Sequence, residues 1–179
     1  MPTPEKHARV GVAVVILNKE NQFVAGVRKG SHGSGKWQLP GGHIDWMEPS
    51  IFDTARREAR EETGLEIKPI KIFANTNDVF AEEDKHYVTI FVLAVLEDPD
   101  AQPALKEEQK CEVWEWKTWN DLRQLEDNDL FLPLVNLLAQ KLDLEAICKV
   151  DNGSMTAAQD GIEQPNPKLD QTGAGAVTK

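Results

Sequence analysis

Three glutamates at helical spacing are the residues of this chain whose types best fit metal chemistry. Glu58, Glu61 and Glu62 stand at positions i, i+3 and i+4, so on an α-helix they share one face. Glu58 and Glu62 are like charges one turn apart, which destabilises an isolated helix by about 0.2–0.5 kcal/mol. A divalent cation would relieve that repulsion, and carboxylate oxygens suit Mg²⁺ or Mn²⁺. The spacing predicts either a metal site or a solvated acidic face relieved by Arg57 and Arg60.

The residues that flank these glutamates favour the metal site. Gly41-Gly42 lies upstream and is expected to form a turn in which backbone carbonyls approach a ligand closely. Glu48 follows Gly42 after five residues, and Gly64 is the residue type that ends many helices. A glycine turn, a further carboxylate and a capped acidic helix are together more specific than an acidic face alone.

This order of residues resembles the Nudix box, G-x5-E-x7-R-E-U-x-E-E-x-G-U with U apolar, the signature of hydrolases that cut nucleoside diphosphates linked to another group. The chain departs from the pattern at one place, because eight residues separate Glu48 from Arg57 where the box has seven. We place the extra residue at Pro49-Ser50, since Ser50 and Asp53 have the types and spacing of a helix N-cap. The helix is then expected from Ile51 to Thr63, and the insertion bears on Glu48 alone.

Several segments outside the box resemble one part of the family, the MutT-type nucleotide triphosphate diphosphatases. Within it the similarity is to the subgroup that hydrolyses thiopurine and oxidised-guanine nucleotides. The resemblance covers roughly residues 9 to 145 and implies hydrolysis of a nucleoside triphosphate to monophosphate and pyrophosphate, in the service of nucleotide-pool sanitation. The segments that carry it are 27–35, 38–43, 85–90 and 111–116.

The resemblance also implies roles for the residues of the box. Glu58, Glu61, Glu62 and the carbonyl of Gly41 would ligate Mg²⁺, with Mn²⁺ as an alternative. Glu61 would position or deprotonate the attacking water. Arg57 would orient the glutamates through charge-assisted hydrogen bonds, unless it forms an ordinary surface ion pair.

Residues outside the helix are candidates for contact with the substrate. Arg28 and Lys29 precede a glycine-rich loop and could meet phosphates, or could be solvated charges at a strand end. Gly42 and His43 lie at the predicted site, although His43 could be a satisfied loop histidine.

Other candidates are aromatic or acidic. Trp37 and Phe91 could stack on a base, with core packing the favoured interpretation. Trp114 and Trp116 are expected to pack at the sheet or at a dimer contact. A carboxylate between Glu107 and Glu112 could complete the metal shell.

Composition and charge narrow the class of protein. The chain has 179 residues, 40% of them apolar, and a formal net charge of −10, with a pI near 4.9. This balance argues against stable nucleic-acid binding. Cys111 and Cys148 form no metal or redox motif, which favours reduced thiols in the cytoplasm, with access to the nucleus. We expect no membrane span and no leader segment.

The order of hydrophobic segments predicts a mixed sheet between helices, the α/β/α sandwich that a Nudix resemblance implies. Residues 1–8 are expected to form an arm, 9–150 one domain, and 151–179 a disordered tail, because the composition there turns to Gly, Gln, Asp and Pro. Predicted strands are 10–17, 23–28, 37–39, 65–73, 87–96 and 113–116, and predicted helical regions are 51–63, 119–125 and 130–144.

Three functions remain open from the sequence. The first is a Mg²⁺-dependent diphosphatase of guanine or modified purine (d)NTPs. The second keeps the chemistry but acts on ADP-ribose, a dinucleoside polyphosphate, a capped-RNA fragment or a coenzyme. The third is a non-catalytic nucleotide-binding protein with a degenerate Nudix fold. The family resemblance and the five tryptophans also favour a homodimer.

Overall fold

The first two strands form the hairpin that their β-branched composition predicts. The computed structural model describes residues 6–30 and 32–149, and β1 (Arg9–Leu17) is followed by β2 (Phe23–Arg28). The turn between them begins at Asn18, whose N–H donates to the Gln22 carbonyl at 2.9 Å. Leu17 and Phe23 are antiparallel partners in this hairpin.

Seven strands make one mixed sheet. The order along its main path is β3-β2-β1-β6-β5, with β4 paired to β1 and β7 paired to β2. β1 and β6 run parallel, whereas the other pairs are antiparallel. The remaining strands are β3 (Trp37–Gln38), β4 (Gly41–His43), β5 (Ile67–Phe80), β6 (Lys85–Leu96) and β7 (Cys111–Lys117).

Helices cover both faces of the sheet, so the predicted α/β/α sandwich is confirmed. α1 (Ile51–Thr63) buries Ala55 and Ala59 against one face. The opposite face packs against α2 (Trp119–Arg123), α3 (Leu132–Ala139) and α4 (Leu144–Ile147). Short 3₁₀ turns lie at Ala81–Glu83 and Asp127–Asp129. No helix among the described residues is long and apolar enough to cross a membrane.

The bounds of α1 agree with the prediction because both ends have local signals. The Ser50 hydroxyl accepts a hydrogen bond from the Asp53 N–H at 3.2 Å, which satisfies one of the free amides of the first turn. Gly64 is left-handed, with φ +71°, and its N–H donates to the Arg60 carbonyl at 3.0 Å. These bounds agree with the expectation that the extra residue of the box lies at Pro49-Ser50, before the helix, which stays a prediction.

Three predicted elements were wrong in extent or type. The strand expected to stop at Phe73 continues to Phe80 as β5, because its antiparallel pairing with β6 extends to the end of both strands. Gly41-Gly42, expected to be a turn, belongs to β4 and pairs with β1.

The helical region expected over residues 130–144 is two helices instead. α3 ends at Ala139, Lys141 adopts φ +55°, and Asp143 caps α4 by accepting from the Ala146 N–H at 2.9 Å. The predicted tail, 151–179, lies outside the described residues, as does most of the predicted arm.

Candidate active site

A cavity of about 520 Å³ opens between α1, the ends of β1 and β6, and the loop that follows β2. Seven of the nine predicted site residues line it, and the other two, Arg57 and Glu61, do not. The seven are Arg28, Lys29, Gly41, Gly42, His43, Glu58 and Glu62. The fold thus brings these residues together from three separate stretches of sequence around one space.

Two carboxylates of α1 form one end of the cavity. Glu58 and Glu62 are both buried, with 8% and 7% of their surfaces exposed. Glu62 accepts a hydrogen bond from the Gly41 N–H at 2.9 Å. A Cβ on Gly42 would lie 2.3 Å from Oε1 of Glu58, so a larger residue there would displace the Glu58 carboxylate from its present position.

Burial makes the charged forms of these carboxylates costly. The pKa of Glu62 is raised to about 8, chiefly by desolvation; the charges of Glu58 and Glu107 act in the same direction, and the hydrogen bond from the Gly41 N–H opposes the shift. Desolvation also raises the pKa of Glu58, although its hydrogen bond with Arg57 opposes the change. A cation placed between the two carboxylates would stabilise both charges.

This donor set fits Mg²⁺ or Mn²⁺. Both ions take hard oxygen ligands, and Mg²⁺ commonly binds one or two carboxylates and fills its other positions with water and substrate phosphates. Within residues 6–30 and 32–149, no three His, Cys, Asp or Glu side chains are gathered closely enough to hold an ion by themselves. Glu58 and Glu62 would therefore hold the metal together with other oxygens, such as those of water, substrate phosphates or a backbone carbonyl.

Arg57 joins the carboxylates from behind the cavity. Its Nε and Nη2 donate to the two oxygens of Glu48 at 3.0 and 3.1 Å, and its Nη1 donates to Glu58 at 2.6 Å. Nη2 also donates to the His43 carbonyl at 2.9 Å. The hydrogen bond from Arg57 lowers the pKa of Glu48 to about 2. Glu48 therefore meets the helix despite the extra residue in the loop.

Glu61 stands apart from the other two glutamates of the helix. Its side chain is 54% exposed, and its Oε2 lies 3.4 Å from Nη1 of Arg57. It shares the helix face predicted from the spacing but does not line the cavity. Its role as the group that positions water stays a prediction.

Basic side chains line the same cavity as the carboxylates. Arg28 donates through Nε to the His32 carbonyl at 2.9 Å, and through Nη1 to the Gln38 side chain. Among the described residues no carboxylate forms an ion pair with Arg28, and burial lowers the pKa of its guanidinium. Lys29 and Lys110 also line the cavity. A partly desolvated guanidinium with only neutral acceptors favours an anionic ligand.

An aromatic cluster of His32, Phe80, Tyr87 and Phe131 forms the remaining wall. The His32 ring lies 4.6 Å from Phe80 and 5.2 Å from Phe131 between centroids, and Phe80 lies 5.8 Å from Tyr87. The guanidinium of Arg28 stacks over Phe131 at 4.1 Å. This wall offers flat apolar surfaces to which a planar ring can pack.

The aromatic cluster was missed by the sequence reasoning, which named Trp37 and Phe91. Trp37 does not line the cavity and instead packs under Lys117, whereas Phe91 lines the cavity but is fully buried. Alternation along β6 could have placed Tyr87 and Phe91 on one face. No sequence signal marked Phe131, which the chain brings in from just before α3.

The late part of the chain also contributes acidic and basic charge. Of the three glutamates between Glu107 and Glu112, Glu107 is the one whose charge raises the pKa of Glu62. Glu107 forms an ion pair with Lys110 at 2.8 Å. Glu107 does not line the cavity, so its part in the metal shell stays a prediction.

Comparison with known proteins identifies the family. The NUDIX domain model matches residues 7–135. Nudix hydrolase 10 of Arabidopsis thaliana is 30% identical over 142 residues, which are 75% of this chain and 47% of that protein. Nudix hydrolase 6 of the same plant is 30% identical over 138 residues, 70% of this chain and 47% of that protein. The chain thus spans about half the length of the curated relatives it matches.

Solved structures agree on the fold. The MutT protein from Methanosarcina mazei Go1 superposes with a TM-score of 0.65 at 23% identity, over 77% of this chain and 95% of its own. A MutT NUDIX hydrolase from Burkholderia pseudomallei gives a TM-score of 0.56 at 26% identity, over 62% and 83%. With a matched domain, a shared fold and the acidic helix at the cavity, this chain belongs to the Nudix family of pyrophosphohydrolases.

Proposed function

We propose that the protein is a Mg²⁺-dependent nucleoside triphosphate diphosphatase that converts (d)NTPs, in particular guanine or modified purine nucleotides, to monophosphate and pyrophosphate. One observation carries the proposal. The same cavity, of nucleotide size, is lined by carboxylates, basic side chains and an aromatic wall.

The substrate would lie along this arrangement of charge. The phosphates would extend between the carboxylate end and Arg28, Lys29 and Lys110. The base would pack against the aromatic wall of His32, Phe80, Tyr87 and Phe131. Gly41 and Gly42 also line the cavity, and their backbone would approach the substrate closely. His43 follows them in the cavity lining and would contact the same part of the substrate.

The residues of the chain would then orient the reactants. Water adds to one phosphorus of the α–β bridge, the P–O–P bond breaks, and the proton of the water passes to a base. A divalent cation held by Glu58 and Glu62 would neutralise charge on the bridging and leaving oxygens and acidify water. Glu61, exposed on the same helix, would accept the proton, while Arg57 would keep Glu58 and Glu48 in position.

A reducing compartment suits the two free thiols. Cys111 and Cys148 are both free and buried, so we propose a cytoplasmic enzyme.

We also propose a homodimer, which light scattering tests directly. Trp114 and Trp119 are buried in the core, Trp116 is half-buried, and Trp46, which is 93% exposed, is the most exposed tryptophan. Trp46 and Trp116 could therefore contribute to a contact between subunits.

The substrate is tested by a panel of nucleotides with and without Mg²⁺. The purified protein is given dGTP, oxidised dGTP, the other NTPs, ADP-ribose and a dinucleoside tetraphosphate, and the products are separated by chromatography. Metal-dependent release of monophosphate and pyrophosphate from guanine nucleotides supports the proposal. Preference for ADP-ribose or the dinucleotide would keep the chemistry but assign a different substrate. Nucleotide binding without turnover would favour the non-catalytic function.

A further inference from the structure

Asp78 is a fully buried carboxylate that the proposed reaction does not use. It lies on β5 with none of its surface exposed. Its Oδ2 accepts hydrogen bonds from the hydroxyls of Thr76 at 2.9 Å and Thr89 at 2.6 Å, and its Oδ1 accepts from the Asn136 amide at 2.8 Å. No Lys, Arg or His among the described residues forms an ion pair with it. Three neutral donors therefore satisfy this carboxylate.

The hydrogen bond to Asp78 fixes the polarity of the Thr89 hydroxyl. The Thr89 hydroxyl donates to Oδ2 of Asp78 at 2.6 Å, and a threonine hydroxyl has one proton to donate. That proton is committed to Asp78, so towards any other partner Thr89 Oγ1 can act only as an acceptor. Of the four residues in this cluster, Thr89 is the one that lines the cavity.

The space beside the Thr89 hydroxyl is left open by a glycine. Gly11 is the register partner of Thr89 in the parallel pairing of β1 and β6 and also lines the cavity. A Cβ added at Gly11 would lie 3.9 Å from Thr89 Oγ1 and 3.7 Å from the Gly42 carbonyl oxygen. These are ordinary contact distances, so a methyl group fits there without strain but would fill space that a ligand could use.

The neighbours of Thr89 suit the edge of an aromatic ligand. Tyr87 and Phe91 stand two residues before and after Thr89, on the same face of β6, and both line the cavity. An acceptor between two aromatic side chains is a site for a planar ring whose edge carries an N–H donor.

We propose that Thr89, held by Asp78, accepts a hydrogen bond from the exocyclic amino group of a purine base and so makes the cavity selective for aminopurines. This inference rests on the proposed function, in that the ligand is a purine nucleotide. A base that lacks the amino group leaves the buried hydroxyl oxygen without its partner, which is the kind of mismatch that sites reject.

Two nucleotide pairs that differ only in the amino group test the proposal. They are dGTP with dITP, and dATP with purine 2′-deoxyriboside triphosphate. We expect the wild type to favour the amino-bearing member of at least one pair by about tenfold or more in kcat/KM. Thr89→Val should bring that ratio close to one, and Thr89→Ser, which keeps the hydroxyl, should retain it.

Thr76→Val is the matched control, because it removes the same kind of hydrogen bond from Asp78 without changing the cavity lining. It should keep the wild-type ratio. Gly11→Ala should raise KM for the amino-bearing nucleotides without lowering the thermal stability. If Thr89→Val does not fold, Thr89→Ala takes its place.

Four results would overturn the proposal. They are a wild-type ratio near one in both pairs, an unchanged ratio in Thr89→Val, an equal loss of ratio in Thr76→Val, and an unchanged KM in Gly11→Ala. Failure of the proposed function is distinguished by calorimetry with the corresponding monophosphates. If no nucleotide is hydrolysed, binding of dGMP against dIMP, and of dAMP against purine deoxyriboside monophosphate, should still show the preference, and equal binding in both pairs rejects it.

Discussion

Arg57 is the residue through which the carboxylates of the site are held in one arrangement. It donates to both oxygens of Glu48 and to Glu58, and it fixes the His43 carbonyl. Lysine carries the same charge but lacks the planar fork that reaches several acceptors at once. The role predicted for Arg57 from the resemblance is thus given a geometric basis, while its effect on catalysis is still to be measured.

We expect Arg57→Lys to lower kcat by about 10–100-fold, since partners that orient metal ligands have effects of this size. Steady-state pyrophosphate release under saturating Mg²⁺ measures the change. Arg60→Lys is the control, because Arg60 pairs with Glu66 in an exposed position away from the cavity. Equal kcat values in Arg57→Lys and the wild type would show that the arginine does not position the site.

Glu61 offers a cleaner test of chemistry because its side chain is exposed. We expect Glu61→Gln to lose most of the activity, on the order of 100-fold or more, while its thermal unfolding matches the wild type. Pyrophosphate release and a melting curve on the same sample measure both properties, with Glu66→Gln as the exposed control. Wild-type turnover in Glu61→Gln would show that Glu61 takes no part in the reaction.

At the scale of elements, α1 shows how local signals determine structure. Ser50 and Gly64 fix its two ends, and the glutamate spacing then determines which side chains share a face. The sequence predicted this helix to the residue because each signal acts within one turn.

The strand β5 continues seven residues beyond its predicted end at Phe73. Its buried positions beyond Phe73 are Ala74, Thr76 and Asp78, so the alternation that marks a half-buried strand is hidden by polar residues. Asp78 can be buried because Thr89 of β6 and Asn136 of α3, both distant in sequence, donate hydrogen bonds to it. Phe131 likewise reaches the cavity only through tertiary packing, so neither feature was predictable from local pattern.

Removal of the Ser50 hydroxyl tests the start of α1. We expect Ser50→Ala to lower the free energy of unfolding by about 1 kcal/mol and Tm by about 2–4 °C, because the Asp53 N–H loses its acceptor. Thr118→Ala, which removes the capping box of α2, is the control for a cap lost away from the cavity. An unchanged Tm in Ser50→Ala would mean that the helix begins at another residue, and that the extra residue lies elsewhere.

At the scale of the whole molecule, the buried carboxylates link stability to pH and metal. Folding raises the pKa of Glu62 from its ordinary 4.5 to about 8. A carboxyl group shifted upward contributes stability that is present below pH 4.5 and is lost as the pH rises towards 8. The pKa of Glu48 is lowered from 4.5 to about 2. Its stabilising contribution is therefore lost as the pH falls from 4.5 towards 2, which is below this interval.

We expect the metal-free protein to lose stability as the pH rises through this interval, relative to Glu62→Gln, which has no such titration. Urea unfolding of both proteins in a chelator, at several pH values between 5 and 8, measures the difference. Taking the difference cancels the contributions of His32 and His43, whose pKa values burial lowers. Parallel curves for the two proteins would show that Glu62 is not held in the environment described.

The central claim is that carboxylates of α1 hold a divalent cation that the cleavage of a nucleoside triphosphate requires. The most direct measurement is pyrophosphate and monophosphate release from dGTP as Mg²⁺ is titrated, with wild type and Glu58→Gln compared under identical conditions. The account predicts saturable, Mg²⁺-dependent release by the wild type, none in a chelator, and a rate near background for Glu58→Gln. Wild-type release that persists in the chelator, or a Glu58→Gln rate equal to the wild type, would contradict it.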